Sequence, residues 1–230
     1  MKKFITILFV GVVLISSTSQ KVRAQGDFSP AFGIAFKAST NGLGGDIVYN
    51  FHKRMSLRLG YEKLGYGTTI NFEEQDISYD AEIDFATGST SLLCDFYLLR
   101  GIFLTAGAGL NLFHVDIDGI AVSSLPFGDI EIPPEMIGDF DAQIDPSNKI
   151  SPYLGIGFGR TLGLKQKLSA AFEIGGFYQG PIDLTINSTG LLIPTSDPAH
   201  GQVEKLERQF DQYTWYPVIK LSISYRILNF

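Results

Sequence analysis

The sequence predicts an all-β protein: an eight-stranded antiparallel up-and-down transmembrane β-barrel with a short amphipathic helix before its last strand. Three observations predict this fold. Apolar residues recur at every second position along eight segments, the connections between segments alternate between short and long, and the chain opens with an export signal. The clearest segment is 213–227, where one face is apolar with aromatic residues at both ends and the other carries Lys220 and Arg226. Alternation alone fits either a soluble sandwich or a membrane barrel, so the rest of the chain must decide.

The N-terminal residues have the parts of a secretory signal peptide. Lys2 and Lys3 are positively charged, residues 4–15 are almost entirely apolar, and Val22-Arg23-Ala24 fits a small-x-Ala cleavage site. The apolar run is shorter than the roughly 20 residues that a membrane-spanning helix needs. We therefore predict a cleaved signal peptide over residues 1–24 and a single outer-membrane β-barrel domain over residues 25–230.

The net charge argues against a nucleic-acid-binding protein, and the cysteine content excludes a fold held together by internal disulfides. The net charge is −6, and removal of a signal that carries four basic and no acidic residues changes it to −10, which argues against a nucleic-acid partner. Cys94 is the only cysteine, so no disulfide can form within the chain.

The period-two pattern defines the strands in chain order. The eight segments are 32–37, 46–51, 55–62, 79–99, 102–112, 150–159, 168–175 and 213–227. In segment 79–99 the apolar residues occupy odd positions in the first half and even positions in the second. A β-bulge at residues 87–89, an upper half that stands clear of the membrane, or a separate hairpin at Gly88 would each explain this change.

The lengths of the connections favour a membrane barrel over a sandwich. The connections after the second, fourth and sixth strands are short, whereas residues 65–78, 115–149 and 176–212 are expected to form long loops. Outer-membrane barrels have short turns at one rim and long loops at the other. A soluble sandwich provides no reason for this asymmetry.

The face opposite the apolar one carries a balanced set of charges. These residues are Lys37, Asp46, Arg58, Glu62, Asp95, Glu173, Lys220 and Arg226. An eight-stranded barrel is just wide enough for its side chains to fill, and an unpaired buried charge is costly. We interpret the set as a structural ion-pair network that fills the lumen; a proton path or a narrow gated channel is the functional alternative.

Glycines are concentrated on the inward face of the fifth and sixth strands. They either make room for large opposing side chains such as Phe103 and Tyr153, or leave a cavity near the outer mouth that could hold a small apolar molecule. The inward glycines are Gly107, Gly109, Gly155, Gly157 and Gly159.

The sequence contains little that suggests catalysis. Among the three histidines only His114 is placed suggestively, at the outer end of the fifth strand beside Asp116 and Asp118, and no serine nucleophile motif accompanies it. No phosphate-binding loop or metal-spaced Cys/His cluster is found. We therefore predict that the protein is not an enzyme, and we assign no catalytic, cofactor-binding or metal-binding residue.

Two features of the long loops suggest contacts with the membrane surface. Acidic residues dominate them and are interpreted as solvated charges, or alternatively as carboxylates that divalent ions bridge to lipid phosphates. Before the last strand, Val203, Leu206 and Phe210 share a helical stripe, with Glu204 and Arg208 at a favourable i, i+4 spacing. This amphipathic helix could cap the lumen or lie on the membrane.

A set of short motifs runs through nearly the whole mature chain. In order they are Gly42-Leu43-Gly44, Arg58-Leu59-Gly60-Tyr61, Tyr79-Asp80-Ala81, Asp95-Phe96, Pro152-Tyr153-Leu154-Gly155-Ile156-Gly157, Tyr216-Pro217-Val218 and Ser224-Tyr225-Arg226. Together they resemble a family of small Gram-negative outer-membrane barrels, similar in layout to the OmpW-like and OmpA-like barrels. The resemblance implies an outer-membrane location and eight strands, and it brings no catalytic residues. Barrels of this kind usually end at an aromatic residue directly after the Tyr-Arg pair; here Ile227 holds that place and Phe230 is terminal.

These observations define the functional expectation. We expect a structural or surface-interaction role in the outer membrane of a Gram-negative bacterium. Passive transport or binding of small hydrophobic molecules through a pocket at the outer mouth is the alternative. The expected partners are outer-membrane lipids, including lipopolysaccharide, and the barrel-assembly machinery, which would read the C-terminal strand. We expect a monomer.

Overall fold

The computed structural model describes residues 28–74, 77–99, 101–127, 130–193 and 214–230. Within them the chain is almost entirely β-structure, which confirms the predicted all-β antiparallel class. The thirteen strands are β1 Ala31–Ser39, β2 Gly42–His52, β3 Met55–Glu74, β4 Ile77–Leu99, β5 Ile102–Asn111, β6 His114–Ala121, β7 Leu125–Phe127, β8 Ile130–Ile132, β9 Asp139–Pro146, β10 Ile150–Gly159, β11 Leu168–Tyr178, β12 Ile182–Ser188 and β13 Trp215–Asn229. A short helix spans Pro134–Ile137 and a 3-10 turn spans Gly190–Leu192.

Two predictions fall on residues that the structure does not describe. These are the signal peptide and the amphipathic helix before the last strand, so both stay predictions. Among the described residues, no helix is long and apolar enough to cross a membrane.

Eight of the strands pair in a closed ring. The antiparallel pairings run β1–β2–β3–β4–β5–β10–β11–β13, and β13 pairs again with β1. Each strand of the ring therefore has a hydrogen-bonded neighbour on both sides, which removes the open edges that a flat sheet would expose. Each of the eight segments with period-two alternation falls in one of these strands, apart from Leu112 and Thr214, which lie just outside β5 and β13, and residue 213, which is not among the described residues.

The ring has its apolar side outside and its polar side inside. Ile34, Leu59 and Ile223 are each about half exposed (50, 51 and 54%), although they belong to well-formed strands. Charged residues such as Lys37 and Glu62 on the opposite face are fully buried. A water-soluble protein buries its apolar face, so the arrangement is inverted relative to a soluble sandwich.

Three further strands extend the sheet beyond the ring. β6 pairs with the first half of β4, β9 pairs with β6, and β12 pairs with β9. β3 and β4 are themselves long and project past the ring to form the base of this outer sheet. The prediction of loops over 65–78, 115–149 and 176–212 is therefore wrong for the ends of β3, β4 and β11, for β6–β9 and β12, and for the short helix over 134–137. Apolar and polar residues alternate in these strands as well, for example in Val115-Asp116-Ile117-Asp118.

The pairing of β3 with β4 explains the change of phase in segment 79–99. The two strands pair from Met55–Phe96 to Glu74–Ile77 without a register shift, so neither a bulge at 87–89 nor a separate hairpin at Gly88 exists. Leu93 is buried inside the ring. Tyr79 and Ala81 lie on the same side of β4 but in its projecting half, where they are buried on the inner face of the outer sheet. The side chains of β4 therefore keep the same orientation along the whole strand, and what changes is whether they line the ring or the outer sheet.

Glycines make room for aromatic side chains inside the ring. A Cβ atom at Gly157 would lie 2.1 Å from the Phe103 ring, and one at Gly175 would lie 2.3 Å from the Tyr153 hydroxyl. Both aromatic side chains are buried, so the inward glycines serve packing of the lumen, as the first of the two sequence interpretations proposed.

The last strand contains a β-bulge. Phe32 pairs with Leu228 but Gly33 pairs with Arg226, so Ile227 is an extra residue on β13. A bulge of one residue reverses which side the following residues face. Phe230, whose backbone N–H donates to the Pro30 carbonyl over 2.9 Å, is consequently brought to the outer side, where it is largely exposed.

Candidate functional site

The lumen of the ring contains seven of the eight predicted charged residues. In its upper tier, next to the outer sheet, Lys37 Nζ lies 2.7 Å from Asp46 Oδ1 and 3.6 Å from Glu62 Oε2. Glu62 also accepts hydrogen bonds from Ser39, Asn41 and Ser89 over 2.9 to 3.2 Å. Gly60 makes this arrangement possible, because a Cβ there would collide with the Lys37–Asp46 pair.

Arg58 connects the upper tier, formed by Lys37, Asp46 and Glu62, to a lower tier that contains Asp95 and Glu173. Its Nη2 lies 2.8 Å from Asp95 Oδ1 and 2.8 Å from Glu173 Oε2, and its Nη1 lies 3.7 Å from Asp46 Oδ2. The guanidinium is essentially inaccessible to solvent. Three carboxylates from three other strands therefore surround one buried cation.

Hydroxyl groups complete the coordination of the Asp95 carboxylate. It accepts hydrogen bonds from Ser56 and Thr105, each over 2.9 Å, and from Thr161 over 2.7 Å. The Tyr153 hydroxyl likewise donates to Glu173 over 2.6 Å. Because every oxygen of these two buried carboxylates has a donor, the cost of removing their charge from water is reduced.

Lys220 is the third buried cation. It is the direct cross-strand partner of Glu173, its Nζ lies 3.9 Å from Glu62 Oε1, and it stands 5.0 Å from the centre of the Tyr153 ring. Its ammonium group forms no well-oriented hydrogen bond within the described residues. Coulombic attraction and the aromatic face therefore hold it in place.

Arg226 is not brought into this cluster. Its guanidinium donates to the backbone carbonyls of Leu164 and Lys165, in the short turn between β10 and β11. Position 226 is the last inward position before the bulge and therefore lies at the rim. Without Arg226 the buried set contains three basic and four acidic side chains, so the charge balance expected from the sequence is short by one positive charge.

Sequence reasoning missed the neutral polar partners of the network. Ser56, Thr105 and Tyr153 lie at inward positions of the period-two pattern, so strand parity could have identified them. Thr161 follows β10 in a turn, where no periodicity applies. Its hydroxyl contacts Asp95 and the Tyr97 hydroxyl, both over 2.7 Å, only because the chain folds back at this rim.

The outer sheet presents a different chemistry. On its outward face, acidic residues stand directly opposite each other on adjacent strands: Glu82 pairs with Asp118, which pairs with Asp141. Asp84 pairs with Asp116 in the next row. Within the described residues, no group of three or more histidine, cysteine or acidic side chains is arranged to hold a metal ion.

His114 is the first residue of β6 rather than the end of the fifth strand, and it lies at the base of this acidic face. Its two ring nitrogens face carboxylates of Asp116 and Asp145. No hydroxyl or thiol group is among the polar partners found for it in the described part of the chain.

Comparisons with known proteins concern the fold. No protein-family model and no curated protein sequence matches the chain. Solved structures similar to the chain include two from Acinetobacter baumannii. Acinetobacter baumannii CarO is 21% identical, with a TM-score of 0.51 over 85% of this chain and 97% of that one. Acinetobacter baumannii CarO2 is 18% identical, with a TM-score of 0.53 over 88% of this chain and all of the other.

These similarities support a shared β-fold and, at this level of identity, nothing about function. A major outer membrane protein from Thermus thermophilus aligns over 88% of this chain at 12% identity, but its TM-score of 0.35 is too low to carry an argument. The resemblance to OmpW-like barrels, specifically, stays a prediction.

The lumen contacts lead to a prediction about Arg58. Arg58→Met preserves much of the side-chain volume but leaves Asp46, Asp95 and Glu173 without their common cation. Loss of one partner from a buried ion pair costs about 3–5 kcal/mol. We expect a correspondingly lower urea midpoint for the protein folded in detergent, followed by the mobility of the folded band on unheated gels.

The control is Lys63→Met, which removes an exposed cation from the same strand. A surface charge of this kind contributes at most about 1 kcal/mol. Equal midpoints for the two variants would show that the lumen charges are solvated and that the ion-pair interpretation is wrong.

Proposed function

We propose that this chain is an outer-membrane β-barrel protein of a Gram-negative bacterium, exported by its signal peptide, and that its ring of eight strands spans the membrane as a monomer. The observation that carries the proposal is the exposed apolar surface of the ring. An apolar area of this extent would cause aggregation in water but is the expected surface toward lipid. A membrane-spanning strand must also have its backbone hydrogen bonds satisfied within the protein, because hydrocarbon provides none. Every ring strand meets this requirement, since it pairs with a neighbour on both sides.

Aromatic residues at the ends of the ring strands support the same orientation. Trp215 and Tyr178 form an exposed edge-to-face pair, with ring centres 5.4 Å apart, at the end nearest the outer sheet. Phe158 and Phe230 are exposed at the opposite end. Amphipathic and aromatic rings favour the interface between lipid and water, so these residues would form the two girdles of the barrel.

The role that fits the lumen is structural or surface-interactive. Phe103, Tyr153, Arg58 and Lys220 are all buried within the ring, and their contacts leave ion pairs and aromatic packing along its centre. The part that differs most from a plain barrel is the outer sheet. We propose that this sheet faces the cell exterior and is the part of the protein that interacts with its surroundings, with no catalytic function.

Binding of small hydrophobic molecules at the outer mouth is the second candidate. It is favoured by the inner face of the outer sheet, where Ile83, Phe85, Ile117 and Ile144 are only half-buried. In the described residues this face continues into the buried cluster around Tyr79 and Ile137. A ligand there would bind above a closed lumen, so uptake would require release through the wall.

Conductance and accessibility together test the proposed function. We expect the purified protein to give no stable ion current in planar bilayers. In intact cells of a Cys94→Ser background, a membrane-impermeant thiol reagent should label a cysteine at Asp183 but not one at Lys53. A steady, ion-selective current would instead favour the channel interpretation of the lumen charges. Labelling at position 53 with none at 183 would reverse the orientation.

We propose outer-leaflet lipids, including lipopolysaccharide, as partners of the acidic face. Glu82, Asp84 and Leu92 lie on the same outward side of β4. Leu92 is the first exposed apolar residue that follows the two acidic ones on this side, and it belongs to the apolar surface of the ring. The row formed by Glu82, Asp118 and Asp141 would thus stand level with lipid phosphates, and hard divalent cations bridge carboxylate and phosphate oxygens.

This partner assignment predicts a chelator-sensitive interaction. In lipopolysaccharide-containing vesicles, Mg²⁺ should raise the thermal midpoint of the protein, and EDTA should cancel the increase. A variant with Glu82→Gln, Asp118→Asn and Asp141→Asn should lose the Mg²⁺ response. The assignment fails if that variant responds to Mg²⁺ as the unmodified protein does.

We further propose that the barrel-assembly machinery reads Phe230. The support is the bulge at Ile227, which turns the terminal aromatic ring outward despite its shifted position in the sequence. Deletion of Asn229, which lies between the bulge and the terminal residue, should turn Phe230 toward the lumen. Deletion of Ile227 should restore a regular ladder and leave Phe230 outward, because Leu228 already pairs with Phe32 on that side. We expect the Asn229 deletion to reduce the assembled, heat-modifiable fraction in cells, as Phe230→Ala should, whereas the Ile227 deletion should have little effect. Normal assembly of the Asn229 deletion variant would show that the orientation of Phe230 is irrelevant.

A further inference from the structure

In β4, β6, β9, β12 and the projecting residues 65–74 of β3, His114 is the one side chain that can carry a positive charge. β4, β6, β9 and β12 contain no lysine and no arginine. The nearest residues on the outward face are acidic or small. Asp116 follows on β6, with Asp84 opposite it on β4; Asp145 lies on β9, with Asp183 opposite it on β12. Ala86 is the β4 partner of His114 itself.

The imidazole ring of His114 lies between two carboxylates. Nε2 is 2.7 Å from Asp116 Oδ2, and Nδ1 is 2.8 Å from Asp145 Oδ1. Asp116 belongs to the same strand, whereas Asp145 belongs to β9. The side chain is 39% exposed, so water and protons reach it.

This geometry specifies the protonation state of the ring. A neutral imidazole has one N–H and can donate to one carboxylate only, while its other nitrogen directs a lone pair at the second. An imidazolium donates at both nitrogens. With both carboxylates ionised, the two short contacts are therefore satisfied together only when His114 is positively charged.

The contact with Asp145 joins two parts of the fold. Among the described strands, β9 pairs only with β6 and β12. Residues 147–149 and 179–181 join this pair to β10 and β11, and Ser147 and Asn148 donate backbone hydrogen bonds to Pro181 and Gln179. Within the described part of the chain, its ladder to the rest of the outer sheet is that of β9 with β6, which runs from Val115–Ile144 to Ile120–Asp139. His114 and Asp145 directly precede and follow the ends of this ladder that lie nearest to the ring.

We propose that His114 is a proton-operated clamp that fixes β9 to β6 and thereby keeps the β9–β12 pair joined to the β4–β6 part of the outer sheet. The closed form carries the imidazolium between Asp116 and Asp145. Loss of the proton leaves four carboxylates, Asp84, Asp116, Asp145 and Asp183, without a cation on their strands. Repulsion between like charges on adjacent strands then weakens the ladder.

The direction of the pH dependence follows from the sign of the pKa change. The hydrogen bond that the His114 ring donates to Asp145 raises the pKa of His114 above 6.5, partial burial opposes the increase, and the charges of Asp145 and Asp116 add to it. A group whose pKa is higher in the folded state contributes its full stabilisation below its unfolded pKa of about 6.5 and loses it as pH rises through the folded value. The clamp is therefore closed in mildly acidic medium and loosens in mildly alkaline medium.

Hydrogen exchange on the full-length protein in detergent micelles tests the clamp. Between pH 6 and pH 9 we expect amides of β9 and β12 to lose protection, after correction for intrinsic exchange. The loss should be about tenfold for each unit by which the His114 pKa exceeds its unfolded value. Ring strands such as β1 and β11 should not change.

His114→Gln should remove this pH dependence, leaving β9 at the less protected level throughout, whereas the matched variant His52→Gln should retain it. A titration of ¹³C-labelled histidines provides a second measurement that does not require a His114 variant to fold. Its three signals can be assigned with His52→Gln and His200→Gln. A His114 pKa at or below 6.5, or an unchanged pH profile of β9 in His114→Gln, would overturn the proposal.

Discussion

The organisation of the ring depends on the compensation of charge among the side chains that are buried inside it. Arg58 is central to this compensation, because its guanidinium meets carboxylates from β2, β4 and β11. A buried ion pair rarely adds net stability compared with apolar packing, but an incomplete one is strongly destabilising. The contacts of Arg58 therefore constrain the relative register of strands that are far apart in the chain. Glycines at positions 60, 157 and 175 create the space that these contacts and the adjacent aromatic rings need.

Strand parity accounts for most of what the sequence could predict. It assigns Lys37, Asp46 and Glu173 to the inside of the ring, because each lies within a regular strand where a period of two fixes the direction of the side chain. It fails for Arg226, because parity specifies the side of the strand but not the depth along the barrel. Arg226 points inward at the rim, where backbone carbonyls are closer than carboxylates.

The strands of the outer sheet are predicted as loops for a different reason. A long stretch between two strong strands suggests a loop, although residues 139–146 and 182–188 also alternate between apolar and polar residues. Contacts such as that between His114 and Asp145 cannot be found in this way. The two residues are 31 positions apart, and only the register of β6 against β9 brings them together. Periodicity predicts that a strand forms, whereas tertiary pairing decides its neighbours.

The uninterrupted β3–β4 ladder has a mechanical consequence. β3 is 20 residues long, and all of them pair with β4 without a shift, so the same ladder belongs to the outer sheet and to the wall of the ring. A pull on the outer sheet along these strands would load their hydrogen bonds in shear, with many bonds sharing the force, rather than opening them one after another. The outer sheet would therefore transmit tension into the wall before it detached. The β3–β4 hairpin is therefore a rigid element through which a contact on the outer sheet would transmit force to the whole ring.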